Sequence, residues 1–402
     1  VIDGGDAVVL FHVNDGSTLE LDGLSLVRGV ATYSPTYSYG SGGAVYLGGD
    51  ECMLTASSCS FVGNNALDSG GAISSQGSNI ILDGDTTFAD NASTGEFGGA
   101  IYMTFGGNVT IDGTTAFTNN SAGIWGGALY DIGNGISIHG TAIFDNNTAG
   151  DRGGAFYAQG NVVIDGDMSF SGNTAGIHGG AIYSSANNIT FNGETVFRSN
   201  KANANGGAFF LDGADLDVQG TMRWVGNAAD GDGGGLYMDN MAALAFSGVD
   251  ASFTNNSAGG NGGAIVAASG SSLVIRGPIP FRYNIAQENG GAIAVRSSTI
   301  AMEEGTLFDG NEAIGGAGGG VYCTSSLATF NGSVFSTNEA LWGGGLALFS
   351  SGSLFDVEVT NSGAVNATMC VFQGNRAVDG GAMYSFGGYD GVTECRFEDN
   401  LA

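Results

Sequence analysis

Basic residues are scarce in this sequence, and that scarcity excludes much. Ten of 402 residues are Lys or Arg against 39 Asp or Glu, a net charge of −29. A surface of that sign repels phosphate backbones, so nucleic acid is not an expected partner. Anionic membranes and polyuronates are disfavoured for the same reason. Proline occurs three times beside 74 glycines, which excludes a collagen-like chain rich in both. No apolar run approaches the ~18 residues of a membrane helix, so membrane insertion is not expected, and no helical period shows anywhere. His12, His139 and His178 lack zinc-ligand spacing, and the five cysteines form no C-x-x-C motif, so neither metal nor cofactor is expected. Hydrophobic residues make up 43% of the chain, too many for disorder.

What the sequence does have is a repeat. F-x-x-N starts at Phe61, Phe88, Phe117, Phe144, Phe170 and Phe197, and again at Phe253, Phe281, Phe308, Phe335, Phe372 and Phe397, with Trp224 in the gap. One interval is 37 residues and the others lie between 25 and 29. A second pattern, Gly-Gly-Ala/Gly followed by an apolar residue, runs in step from Gly42 to Gly380. A fixed period over a whole chain marks stacked structural units. The spacing therefore predicts a single domain, residues 1–402, with excursions at 29–42 and 360–368.

One period, Gly98 to Gly123, reads GGAIYMTFGGNVTIDGTTAFTNNSAG. Runs at 100–104, 108–112 and 114–118 suit short strands, and Gly- or Asn-rich breaks separate them. This predicts an all-β parallel β-helix, a solenoid of about 14 coils of about 27 residues, with three strands per coil and coils about 4.8 Å apart. Alternation aims the residue after Gly-Gly-Ala inward, along with the repeat Phe and the residue two before it. The Asn of F-x-x-N is expected to form an amide ladder between coils and to take the left-handed turn conformation. The Gly pair suits a sharp turn against neighbouring coils.

The next residue of the first strand faces outward by the same alternation. It is Tyr46, Tyr102, Tyr130, Tyr157, Tyr183, Phe210, Tyr237, Tyr322 or Tyr384 in nine coils. Such a ladder either stabilises the sheet by stacking or offers an exposed binding ladder for a glycan. The excursions, the first holding Tyr33, Tyr37 and Tyr39, are either a binding face or tolerated loop variation.

Eight N-x-S/T sequons occur. Asn91 is a ladder residue and is expected to be buried. Asn108, Asn119, Asn146, Asn188, Asn255, Asn331 and Asn366 are candidate glycosylation sites. Cys370 and Cys395 each stand two before a repeat Phe in adjacent coils, which places their Cα atoms within disulfide range. A bridge and two small buried thiols both fit, while Cys52, Cys59 and Cys323 have no assigned pairing. Asp83, Asp112 and Asp165 recur at the end of the second strand, with His139 among them, and read as turn residues. Nucleophile-elbow, P-loop and EF-hand signatures are absent. No catalytic residue is expected.

The paired G-G-A-[ILVF] and F-x-x-N motifs, thirteen copies of each across nearly the whole chain, resemble the polymorphic outer-membrane protein repeat family. The resemblance implies a right-handed single-stranded β-helix that is extracellular or displayed at the cell surface and serves adhesion. The expected function is structural or adhesive and non-catalytic, with glycans, other extracellular proteins or further copies of this chain as partners. A carbohydrate-binding module is the alternative, and a polysaccharide-active β-helix enzyme a third. Val1–Gly4 is similar to Thr110–Gly113, and Leu401–Ala402 precede the next Gly pair. Both ends are thus expected inside a coil, as in a subunit or segment of an extracellular fibre.

Overall fold

The computed structural model describes residues 1–14, 16–33, 40–49, 51–185, 188–303, 305–349, 364–387 and 389–402. Tyr37 and Tyr39 of the first excursion and 360–363 of the second lie outside the described residues. The chain is an all-β solenoid of roughly 27 residues per turn, built from parallel strands. It packs as two compact units, Val1–Asn203 and Ala204–Ala402.

Each full turn feeds four sheets. In one turn of the first unit these strands are Ile101–Thr104, Asn108–Ile111, Thr114–Thr118 and Ser121–Ala122. The fourth strand adds to the three expected. It is two residues long, too short to carry an alternation that a sequence could display. In the first unit the four sheets start at Phe11–Val13, Thr18–Asp22, Ile2–Asp3 and Val30–Ala31. In the second they start at Phe209–Asp212, Asp215–Val218, Met222–Val225 and Ala228–Ala229.

Inside each unit, identical side chains meet in register. Phe88 pairs with Phe117, and Phe117 with Phe144; their ring centroids are 4.9 and 4.8 Å apart and nearly parallel. In the second unit Phe253, Phe281 and Phe308 do the same at 4.8 and 5.1 Å. Cys59, Thr86, Ala142, Met168, Met222, Ile279 and Cys370, each two before the ring, are also buried. Full burial of one of the Phe, Met or Ile side chains contributes about 1.5–3 kcal/mol.

The asparagine ladder is present in both units. Asn120 Nδ2 donates to Asn147 Oδ1 and to the Phe88 carbonyl, both at 3.0 Å, and its backbone N–H donates to the same Oδ1 at 2.9 Å. Asn284 repeats the arrangement with Asn311 and Phe253. Every polar atom of these buried amides is thereby used; an unsatisfied one would cost about 1–3 kcal/mol. The left-handed residue is not the ladder Asn, as expected from the sequence, but the one before it: Asn119, Asn146 and Asn255 each have φ 55°. The bend has to precede the ladder residue so that its amide can point along the stack of turns.

The two glycines of the pair have separate reasons. Gly126 has φ 66°, a left-handed backbone that glycine adopts without penalty. At Gly127 a Cβ would stand 1.9 Å from the Gly154 carbonyl oxygen of the next turn, so only glycine fits.

Candidate functional site

The tyrosine column does not form an exposed ladder. Tyr130, Tyr157 and Tyr183 are only 4%, 2% and 2% exposed; Tyr46 and Tyr237 are also buried, and Tyr102, Tyr322 and Tyr384 are half-buried. Alternation does aim these rings away from the core. What the alternation rule omits is the turn leading into the Gly pair, which folds back beside them. Its last residue lies on the tyrosines: Phe97 is 4.7 Å from Tyr130 and Trp125 is 5.0 Å from Tyr157, centroid to centroid. The tyrosines also stack on one another, Tyr102 on Tyr130 at 5.4 Å, Tyr130 on Tyr157 at 5.0 Å and Tyr157 on Tyr183 at 5.2 Å. Burial, reinforced by the neighbouring tyrosines, pushes the Tyr130 phenol well up from its ordinary pKa.

The residue before each Gly pair thus forms an edge column that the sequence reading passed over. In the first unit Phe97, Trp125, Arg152 and His178 are joined by successive parallel bridges. Trp125 Nε1 donates to Asp151 Oδ2 at 3.1 Å. Arg152 lies 4.8 Å from the Tyr183 ring centre and 5.5 Å from that of Trp125, and donates to the Tyr183 hydroxyl at 3.3 Å. All four are half-buried. The signal that could have found them is positional: one residue per period, fixed against the glycines.

In the second unit the same position holds Asn205, Asp232, Asn261 and Asn289, and the column is a hydrogen-bonded ladder. Asn261 Nδ2 donates to Asp232 Oδ1 at 2.9 Å and to Glu288 Oε2 at 3.0 Å, and Asn289 Nδ2 donates to Asn261 Oδ1 at 2.9 Å. Here the tyrosine column shrinks to Val266 and Ala294, pairing in register next to Tyr237. Arg296 enters that region and donates to Asp232 Oδ2 at 2.6 Å.

Asp131 is the one carboxylate buried at 0% exposure among the described residues. Its Oδ1 accepts the Gly133 N–H at 3.0 Å, while Oδ2 has no hydrogen-bond partner. Burial pushes this carboxyl up to about 6. At the surface, His139 Nδ1 is 2.7 Å from Asp112 Oδ1 and its Nε2 is 4.0 Å from Asp165 Oδ2. The three follow one another in successive turns, just past the ends of the second strands, and are about half exposed. Among the described residues no group of three His, Cys, Asp or Glu could hold a metal ion, and no helix is long and apolar enough to cross a membrane.

The structure places Asn108, Asn119, Asn146, Asn188, Asn255, Asn331 and Asn366 at exposed positions and Asn91 in the buried ladder. The Cys370–Cys395 bridge is not formed; all five cysteines are free thiols. In-register parallel neighbours point their Cβ atoms the same way at strand spacing, wider than the ~3.8 Å a disulfide prefers. Cys370 Sγ instead donates to the Thr368 carbonyl at 3.4 Å and Cys395 Sγ to the Ala367 carbonyl at 3.3 Å. Tyr33, the described tyrosine of the first excursion, is 63% exposed and donates to Asp68 Oδ1 at 2.8 Å.

Five segments, 58–76, 114–131, 141–159, 167–185 and 250–268, match the family model of the Chlamydia polymorphic membrane protein repeat. The chain carries polymorphic membrane protein repeats. Each matched segment starts at or just before a third strand and runs through the ladder Asn, the edge column and the Gly pair to the end of a first strand. The second sheet, with Asp112, His139 and Asp165, falls outside the matched repeats. No curated protein and no solved structure matches the chain.

Proposed function

We propose that this chain is a non-catalytic β-solenoid, held outside the cell or at its surface, that acts as an adhesive or structural scaffold. The observation that carries the reading is where the repeat spends its most regular side chains. The Phe, Asn and Tyr columns all contact the next turn, and Asp112, His139 and Asp165 at the second sheet pair with one another at the surface. The polymorphic membrane protein repeats support the surface location. The partners are other extracellular proteins, glycans or further copies of the chain, and the exposed sequons carry glycans where the producing cell can attach them.

One experiment separates the main readings. Beads coated with the purified chain are offered to cells that have been stripped of surface protein, stripped of surface glycan, or left intact. Loss of adhesion after protein stripping alone supports the adhesive reading. Loss after glycan stripping alone moves it to a carbohydrate-binding module. Breakdown of a neutral polysaccharide by the purified chain would overturn the non-catalytic assignment.

The carbohydrate reading retains one specific feature, the half-exposed Phe97 and Trp125 of the edge column. Its weakness is geometric. Phe97 and Trp125 stack on each other at 5.0 Å, and Trp125 stacks again on Tyr157, so ring faces that a sugar would need are largely occupied. The outward edges carry the positive end of the ring quadrupole.

A further inference from the structure

We propose that Asp131 is a proton-operated latch on one corner of the first unit: uncharged, its carboxyl lets the corner close over it; charged, it draws the corner open to water. The carboxyl shares the inward alternation of Leu129 on the strand Leu129–Asp131. It has no exposure, one oxygen with a single backbone donor and one oxygen with none. A carboxylate in that setting lacks both water and a counter-charge, so ionisation and closure oppose each other.

The surroundings offer no relief. The strands packed beside it are Ile101–Thr104 and Phe156–Ala158 of the first sheet, and Asn108–Ile111, Gly135–Ile138 and Asn161–Ile164 of the second. Their only titratable side chains are Tyr102 and Tyr157; with Tyr130 on Asp131's own strand, these point away from the interior. The corners 105–107, 132–134 and 159–160 hold no ionisable side chain. Across the interior, Thr114–Thr118 has none and Thr141–Asp145 ends in Asp145, which alternation aims outward. The upward shift of the Asp131 carboxyl to about 6 has burial as its main cause and agrees with this geometry.

The cover over the carboxyl is backbone held by few bonds. Gly133, Gly135 and Gly160 flank the carboxyl, and a Cβ at Gly160 would stand 2.6 Å from Asp131 Oδ2, so backbone rather than side chain covers it. Three backbone bonds close the corner: Ile132 N–H to the Met103 carbonyl at 3.1 Å, Asn134 N–H to Gly107 at 3.0 Å and Gln159 N–H to Asp131 at 2.9 Å. The fold itself does not require an acid here. Ser75, Met103, Ala158 and Ser184 occupy the same register position in other turns.

Hydrogen exchange from pH 3.5 to 7, corrected for intrinsic rates, tests the latch. The opening constant read at Ile132, Asn134 and Gln159 should rise on the order of 100-fold between about pH 4 and 6 and then level off. The amide of Ser121, bonded to the Asn91 carbonyl at 2.9 Å, should stay flat. Asp131→Asn should abolish the rise, and Asp131→Ser, which installs the residue of two other turns, should do so if the Asn variant folds poorly. A flat profile in the unaltered chain, or an unchanged rise in both variants, would overturn the proposal.

Discussion

In four turns of the first unit the edge column beside the Gly pairs is Phe97, Trp125, Arg152 and His178; in four turns of the second it is Asn205, Asp232, Asn261 and Asn289, with Trp342 further along. The first glycine of each of these pairs has a left-handed φ, between 62° and 69°, in both units. The neighbouring column differs as well: Tyr102, Tyr130, Tyr157 and Tyr183 stack in the first unit, whereas in the second the stack of Phe210 on Tyr237 gives way to Val266 and Ala294. Buried Asp131 and half-buried Asp232 differ in their partners. Asp232 has Arg296 at 2.6 Å and Asn261 as well, while Asp131 has one backbone N–H. The lesson is that the solenoid specifies positions and leaves the edge column free to stack, as Phe97 and Trp125 do, or to hydrogen-bond, as Asp232, Asn261 and Asn289 do.

The sharpest check is on what the units share. Phe144→Ala in the first and Phe281→Ala in the second should each cost about 4 kcal/mol, read from hydrogen exchange within each unit. A clear inequality would mean that the two cores are not equivalent. Next comes Arg296→Ala, expected to cost about 3 kcal/mol because it leaves Asp232 half-buried without its cation. Adding Asp232→Asn should restore part of that loss; no recovery would show that Arg296 acts by filling space.

Asp131→Asn should go the other way and stabilise the first unit by about 2–3 kcal/mol at pH 7. Burial pushes the folded carboxyl up to about 6 from its ordinary value of 3.8. Both states are protonated at low pH, so the unaltered chain has its full stability below about pH 4 and loses it as pH rises through 6. The gain in the variant should therefore vanish below pH 4 in chemical denaturation, and a gain that persists there would refute the assignment. Trp125→Ala should cost about 2 kcal/mol, less than a core ring, because it is half-buried. The smallest effect concerns the thiols. Adding reductant should move the midpoint of unfolding by less than about 0.5 kcal/mol equivalent, since no bridge exists to be cut.

Much of the fold was legible because its causes are local and repeated. The Phe and Asn columns recur at one spacing, and each recurrence reports the same inward position. Asn91 was legible as buried, and Asn119, Asn146 and Asn255 as outward, from their places next to the ladder. The tyrosine column was misread because alternation describes one strand at a time. Trp125 covers Tyr157 from a turn that lies 32 residues earlier in the chain, and no strand rule contains that contact. The cysteine pair was left open because stacking brings the Cα atoms within disulfide range while holding the Cβ atoms somewhat too far apart, and sequence alone does not say whether the backbone yields.

By itself, then, the sequence determined a β-solenoid of about 27-residue turns with a Phe core and an Asn ladder, because identical residues at a fixed period satisfy one another only when stacked. The tertiary structure decided what that stacking leaves outside. It hid Tyr130, Tyr157 and Tyr183 beside the edge column, added the fourth short strand, left Asp131 without a counter-charge and gave one to Asp232. Those outcomes depend on which side chain of one turn reaches into the space left by another, and that space exists only once the turns have been laid on each other.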